Sequence, residues 1–222
     1  MYKGLFDEKN RLQLIQSEEG VIQPKGMRQS GEFESNILCL SCDNEKLGRL
    51  ERYASLMLYD GNPKVLEFRE TPDGMIFLYC AEIDYKQFKL FLLSILWRAS
   101  ISTRPIFREV SLGPYEERLR QMLLNEDPGQ QMTFPCVILT YLNIKDLPSD
   151  IVAQPARAKV DSGTVYKFMI GGMIYIFAVT KQITPDWFAE AAINSQGEMK
   201  IMFASPQLAR NMLGNMMGLK LN

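Results

Sequence analysis

Apolar residues recur at three- and four-residue spacing at Leu47, Leu50, Tyr53, Ala54, Met57 and Leu58. That period gathers them on one stripe of a helix and leaves the charges between them in water, so an amphipathic helix is expected here. Asp43 or Asn44 is the expected N-cap, Glu45 suits the positive end of the dipole, and Asp60-Gly61-Asn62-Pro63 stops the helix. A second helix follows Asp84 and reaches about Ser100. From Leu90 to Trp97 it is apolar almost all round, which places it in the middle of the fold rather than on the surface. Gly113-Pro114 introduces a third, Tyr115 to Leu124, with Leu119, Met122 and Leu123 on one face. A short helix bearing Leu208, Met212 and Met216 is expected from Pro206 to about Met217.

Between the helices the texture is that of strands. Arg11 to Gln16 and Val21 to Gln23 flank Ser17-Glu18-Glu19-Gly20 as a short hairpin, which Pro24 and Gly26 are expected to end. Val65 to Phe68 and Met75 to Ala81 are joined through Thr71-Pro72-Asp73-Gly74, whose Pro and Asp-Gly favour a turn. Phe134 to Leu142, Ala153 to Lys159 and Met199 to Ala204 read as further strands. Gly171-Gly172 separates two apolar runs, Val165 to Ile170 and Met173 to Val179, and predicts a two-residue hairpin because a type I′ turn needs positive φ at both positions. The fold class is α+β, with a helix-rich part over 1–128 and a mainly antiparallel sheet with a last helix over 129–222. A soft boundary near Pro128 within one integrated unit is the simplest organisation.

Composition narrows the function more than the fold. The 222 residues are 46% hydrophobic and 23% charged, the profile of an ordinary globular protein. No leader is expected, since Met1 to Asn10 turns polar before any apolar run forms. Leu90 to Trp97 is far shorter than the ~20 residues a membrane helix needs. With 25 Lys and Arg against 26 Asp and Glu, no global field draws in a polyanion, so nucleic acid would have to be met by a local patch. Four cysteines, two of them isolated as Cys80 and Cys136 in apolar strands, do not make a disulfide framework, and a reducing cytoplasm is the expected location. The chain has no His, which removes the commonest general base, every Ser-His or Cys-His nucleophile and the commonest metal ligand.

The candidate chemistry gathers just before the first helix. Cys39 and Cys42 have metal-ligand spacing but are half of a tetrahedral site. The same pair at a helix N-terminus also suits thiol redox chemistry, since the dipole lowers thiol pKa values, and it is equally compatible with two reduced thiols left from a lost site. Lys46, Arg49 and Arg52 step along that helix and, with Lys25 and Arg28 upstream, are read either as a basic strip for a nucleic-acid backbone, diluted by Glu45 and Glu51, or as a solvated helix face. Arg98, at the end of an apolar helix beside Trp97, is expected to pair with Glu116 or Glu117, or else to meet a phosphate. Seven methionines follow Lys167 and read either as core filling or as an adaptable partner groove, and the helix with Met212, Met216 and Met217 is the element expected to dock on another subunit.

The segments Gln29 to Tyr53 (Q-S-G-E-F-E-S-N-I-L-C-L-S-C-D-N-E-K-L-G-R-L-E-R-Y), Phe88 to Ser100 and Leu112 to Leu123 resemble bacterial HNH-endonuclease-like proteins over about the first half of the chain. The resemblance implies a ββα treble clef around zinc, in which Cys39 and Cys42 match the second ligand pair and Tyr2 to Arg11 looks like the segment after the His-bearing strand. The first Cys pair and the catalytic His have no counterpart. The N-terminal part is therefore expected to be built on a degenerate treble-clef unit, and the protein to be a non-catalytic binding module for DNA, RNA or a protein partner. The alternatives are an HNH-type metal-dependent endonuclease truncated before its first half-site, and a Cys-x-x-Cys thiol oxidoreductase. No cofactor is expected of this chain alone, and zinc enters if ligands come from a preceding segment or a second chain. No membrane partner is expected.

Overall fold

The computed structural model describes residues 12–18, 21–28, 34, 37–59, 65–145, 147, 149–160, 163–179 and 186–216, with the backbone alone for 12–18, 21–28, 65, 160, 215 and 216. The fold is α+β. Strand β1 (Leu12–Glu18) and β2 (Val21–Arg28) form the first hairpin, and a π-helical turn at Ser41–Leu47 runs directly into α1 (Gly48–Leu58). The hairpin β3 (Val65–Glu70) and β4 (Ile76–Ala81) precedes α2 (Tyr85–Ile101) and α3 (Pro114–Leu124). Then come β5 (Cys136–Thr140), β6 (Ile151–Val160), β7 (Gly163–Ile170) and β8 (Met173–Val179). The short α4 (Asp186–Ala191), β9 (Met199–Phe203) and α5 (Pro206–Met216) follow.

The strands make one sheet in the order β2-β1-β6-β7-β8-β5-β9-β4-β3. Two pairs are parallel, β1 with β6 and β5 with β9, and the others are antiparallel. The sheet runs across position 128 at two places, because β4 pairs with β9 and β1 pairs with β6. The loops around Thr71-Pro72-Asp73-Gly74 and Gly171-Gly172 form as expected. Gly171 and Gly172 have φ of 59° and 81°, and a Cβ on Gly172 would sit 2.3 Å from a methyl of Leu142.

Alternation along the strands sorts the apolar side chains onto the two faces of the sheet. Cys80, Ile138, Phe168, Tyr175 and Phe177 join α1, α2 and α3 in one core, and Val137, Leu139, Ile174, Met169 and Ala178 join α4 and α5 in the other. Helix α2 is the centre of the first layer. Asp84 caps it by accepting from the Gln87 N–H at 3.0 Å, and it is buried from Phe88 to Ser94 and at Leu96 and Trp97 because α1, α3 and the sheet enclose it. Each fully buried Leu there contributes about 1.5–3 kcal/mol.

Three expectations need correction. Pro24 and Gly26 lie inside β2 rather than ending it, which the edge position tolerates because an edge N–H is not needed by the ladder. Asp43 and Asn44 lie inside the helical segment, which starts earlier, and no side chain caps its first turn. Met212 is buried against the sheet with Ala209, so this part of the α5 methionine face packs within the chain. Met217 lies outside the described residues, as does the side chain of Met216. Among the described residues no helix is long and apolar enough to cross a membrane.

Candidate functional site

The helix carrying the cysteines begins in a tight arrangement. The carbonyl of Cys39 accepts the Asp43 N–H at 3.0 Å, so Cys39 stands just before the N-cap, Leu40, and Cys42 lies in the first turn. The turn is π-helical until Leu47, whose buried side chain starts the apolar stripe of Leu50 and Ala54. Such wide turns break the register of helical side chains and are frequent at functional sites. Cys39, Leu40 and Ser41 face solvent, with Leu40 79% exposed, while Cys42 is half-buried behind them.

The two thiols are electronically distinct. The Ser41 hydroxyl lies 3.3 Å from the Cys39 sulfur, and hydrogen bonds from Ser41, the Cys42 N–H and the Cys42 thiol lower Cys39 to about 7. Cys42 moves the opposite way, raised first by its hydrogen bond to Cys39 and then by burial, while the Lys46 charge partly opposes this. A thiolate present at neutral pH with a second thiol beside it can ligate a soft metal or attack a disulfide. Among the described residues no group of three or more metal-ligating side chains occurs, so the corner offers two ligands of the four that zinc takes. A closed single-chain zinc site is not matched by these residues.

Of the strip, Lys46, Arg49 and Arg52 lie exposed on the helical segment and are partly occupied. Arg49 Nη2 contacts Glu126 at 2.9 Å, and the same carboxylate lies 3.7 Å from Lys86. Arg49 and the neighbouring lysines hold Glu126 below the usual carboxylate range. Lys46 donates to the Leu124 carbonyl at 3.3 Å, and Arg52 lies exposed beside Gly48. Arg28 is on β2, at the sheet edge, and like Lys25 it is described by its backbone alone. Lys46 of the π-helical turn and Arg49 of α1 thus tie this helical segment to the end of α3, and Arg52 lies exposed on α1.

Arg98 corrects another expectation. It pairs with Glu51 of α1, not with Glu116 or Glu117, and Glu117 pairs instead with Arg120 at 2.7 Å within α3. Glu51 and Arg98 also border a cavity of about 140 Å³ between α1, α2 and the sheet, lined chiefly by Ala54, Leu58, Phe91, Ile95 and Tyr175. Tyr59 lies there too, and burial pushes its hydroxyl up to about 12.

Lys89 is a buried cation that the apolar pattern of α2 does not single out. It is buried beneath the loop after α3, where Nζ donates to the carbonyls of Gln131 and Phe134, both at 3.1 Å. Loss of water lowers its pKa to about 8. The signal available in the sequence was a single cation within an otherwise apolar helical run. Cys80 and Cys136 are buried thiols of the α2 core, with burial raising Cys80 to about 12, which suits packing rather than reaction. No family model, curated protein or solved structure matches this chain.

Proposed function

We propose that the protein is a non-catalytic binding module related to HNH-like treble-clef proteins, working through the Cys39–Cys42 corner and the helix behind it. The supporting observation is local: a hairpin precedes a helix opened by a Cys-x-x-Cys pair whose first thiol is exposed and ionises near neutral pH. That order supports the reading because it is the order the resemblance implies for the later half of a treble clef. The metal the resemblance implies is zinc, which Cys39 and Cys42 would hold as two of four ligands and which would serve there as a structural cross-link. With no imidazole in the chain, the corner lacks the base that the resembled nucleases use.

The partner proposed is a nucleic-acid backbone, met by Lys46, Arg52 and Arg28, with Arg49 joining when phosphate replaces Glu126. A gel shift with duplex and single-stranded DNA tests this. Affinity is expected to fall as salt rises and to fall further when Lys46 and Arg52 are replaced by Ala. Binding unchanged by both would contradict it.

A dithiol reading has one observation of its own, the opposite shifts of Cys39 and Cys42. In it the Cys39 thiolate attacks a disulfide sulfur, the other sulfur leaves as a thiolate, and the Cys42 thiolate then attacks the Cys39 sulfur of the mixed disulfide, so that a Cys39–Cys42 bond forms and the partner's sulfur leaves as a thiolate. Trapping of a mixed disulfide by Cys42→Ser in oxidised glutathione tests it, and the absence of any adduct would remove it.

A further inference from the structure

We propose that the cavity between α1, α2 and the sheet is a binding site for a small, neutral, apolar molecule about the size of a single hydrocarbon ring. The site shares α1 with the Cys39–Cys42 corner but none of its residues, so the inference stands apart from the reading of that corner.

The room originates in the sequence of α1. Its inward stripe runs through Leu47, Leu50, Ala54 and Leu58, and Ala54 is the one short side chain among them. Ala54 is 0% exposed, yet its methyl leaves open the space toward Phe91 and Ile95 of α2 and Ile170 of β7. That space amounts to about 140 Å³. Protein interiors are otherwise filled to the density of organic crystals, so a void of this size leaves its walls without dispersion contacts that a guest restores. An apolar cavity of about 150 Å³ stays dry and takes up benzene, which sets the size of the guest.

The walls set its polarity. Leu58, Phe91, Ile95 and Ile170 offer hydrocarbon side chains, and Tyr175 lines the buried side at 2% exposure. The two charged residues of the lining, Glu51 and Arg98, are paired with each other. A carboxylate guest has to displace Glu51 from Arg98, and an ammonium guest has to displace Arg98 from Glu51, each after losing its own hydration. A neutral hydrocarbon meets neither cost. The tyrosines add no charge, because burial raises the Tyr59 and Tyr175 hydroxyls and keeps them protonated at neutral pH.

The lining grades from core to surface. Ala54, Phe91 and Tyr175 are buried, whereas Ser55, Leu58 and Ile95 are half-buried. A guest entering from the half-buried side exchanges contact with water for contact with these walls, which is the favourable step in apolar binding.

The test titrates the full chain with toluene and follows the methyl resonances of Leu58, Ile95 and Ile170 by NMR, with benzoate and benzylammonium as charged ring analogues. Saturable shifts of these methyls with toluene, and none with either ion at the same concentration, are expected. Ala54→Met and Ser55→Leu fill the void from two positions on α1, and each, checked for native circular dichroism, is expected to lose the toluene shifts. If one variant fails to fold the other decides, and the wild-type titration stands by itself if both fail. No saturable shift of these methyls with toluene would overturn the site. Equal shifts with benzoate or benzylammonium would overturn the neutral class of ligand, and toluene shifts that persist in a folded, filled variant would overturn the cavity as the seat of binding.

Discussion

Arg98 of α2 donates to the Glu51 carboxylate of α1 at 2.5 Å, and its Nε also reaches the Ser94 carbonyl one turn earlier. The pair joins the cysteine-bearing helix to the central helix beside the cavity. Both side chains are about 30% exposed, so the pair is only partly screened. Glu51→Ala is expected to cost about 1–2 kcal/mol by leaving the guanidinium half-buried without its carboxylate. Urea unfolding of Glu51→Ala, Arg98→Ala and the double variant checks this, and additive single effects would show that the two residues do not couple.

Lys89 makes stability depend on pH in a distinctive direction. Its pKa falls from 10.5 in the unfolded chain to about 8 in the fold, so between these values the unfolded state holds more protons. Stability therefore rises with pH across that window, by about 3 kcal/mol at about 1.4 kcal/mol per pH unit. The Cys136 thiol beside it and the buried tyrosines have raised pKa values and act in the opposite sense, so the comparison is with Lys89→Met. Thermal unfolding from pH 7.5 to 10.5 is expected to move in favour of the wild type relative to Lys89→Met. A constant difference would contradict the assignment.

Gly197 is the position where the backbone itself forbids a side chain. Its φ is 77°, and a Cβ would fall 2.1 Å from the carbonyl oxygen of Ile83, the residue whose N–H donates to the Gly197 carbonyl at 3.0 Å. Because the obstacle is main chain, it cannot swing away. Gly197→Ala is expected to lower stability by about 2–4 kcal/mol through strain and the displaced bond. A melting temperature equal to wild type would contradict the contact.

Thiol reactivity reports the asymmetry of the Cys corner. Alkylation of Cys39 is expected to rise with a midpoint near pH 7, ahead of Cys42, with Cys80 and Cys136 unmodified until the protein unfolds. Removing the Ser41 hydroxyl with Ser41→Ala is expected to move the Cys39 midpoint up toward the ordinary thiol value of about 8.5. Peptide mapping by mass spectrometry reads each site separately, and equal rates for all four thiols would contradict it.

Local chemistry made part of this fold legible. Gly171-Gly172 and Asp84 declare a hairpin and a cap within a few residues, and the run from Leu90 to Trp97 declares a buried helix. Partners far apart in the chain left no such trace. The parallel pairing of β5 with β9 and of β1 with β6 depends on which strand edges meet, which residue periodicity does not encode. Arg98 found Glu51 rather than Glu116 or Glu117 because α1, not α3, lies beside that end of α2. The Cys pair was visible from its spacing, but its exposure and the Ser41 contact that separates the two thiols depend on the π-helical turn, for which the sequence carries no simple sign.

The central claim is that Cys39 and Cys42 are metal ligands, and X-ray absorption at the zinc edge of the zinc-loaded full chain tests it most directly. The account predicts sulfur neighbours at about 2.3 Å, lost in Cys39→Ser. A first shell of oxygen or nitrogen alone at about 2.0–2.2 Å, unchanged by that substitution, would contradict it.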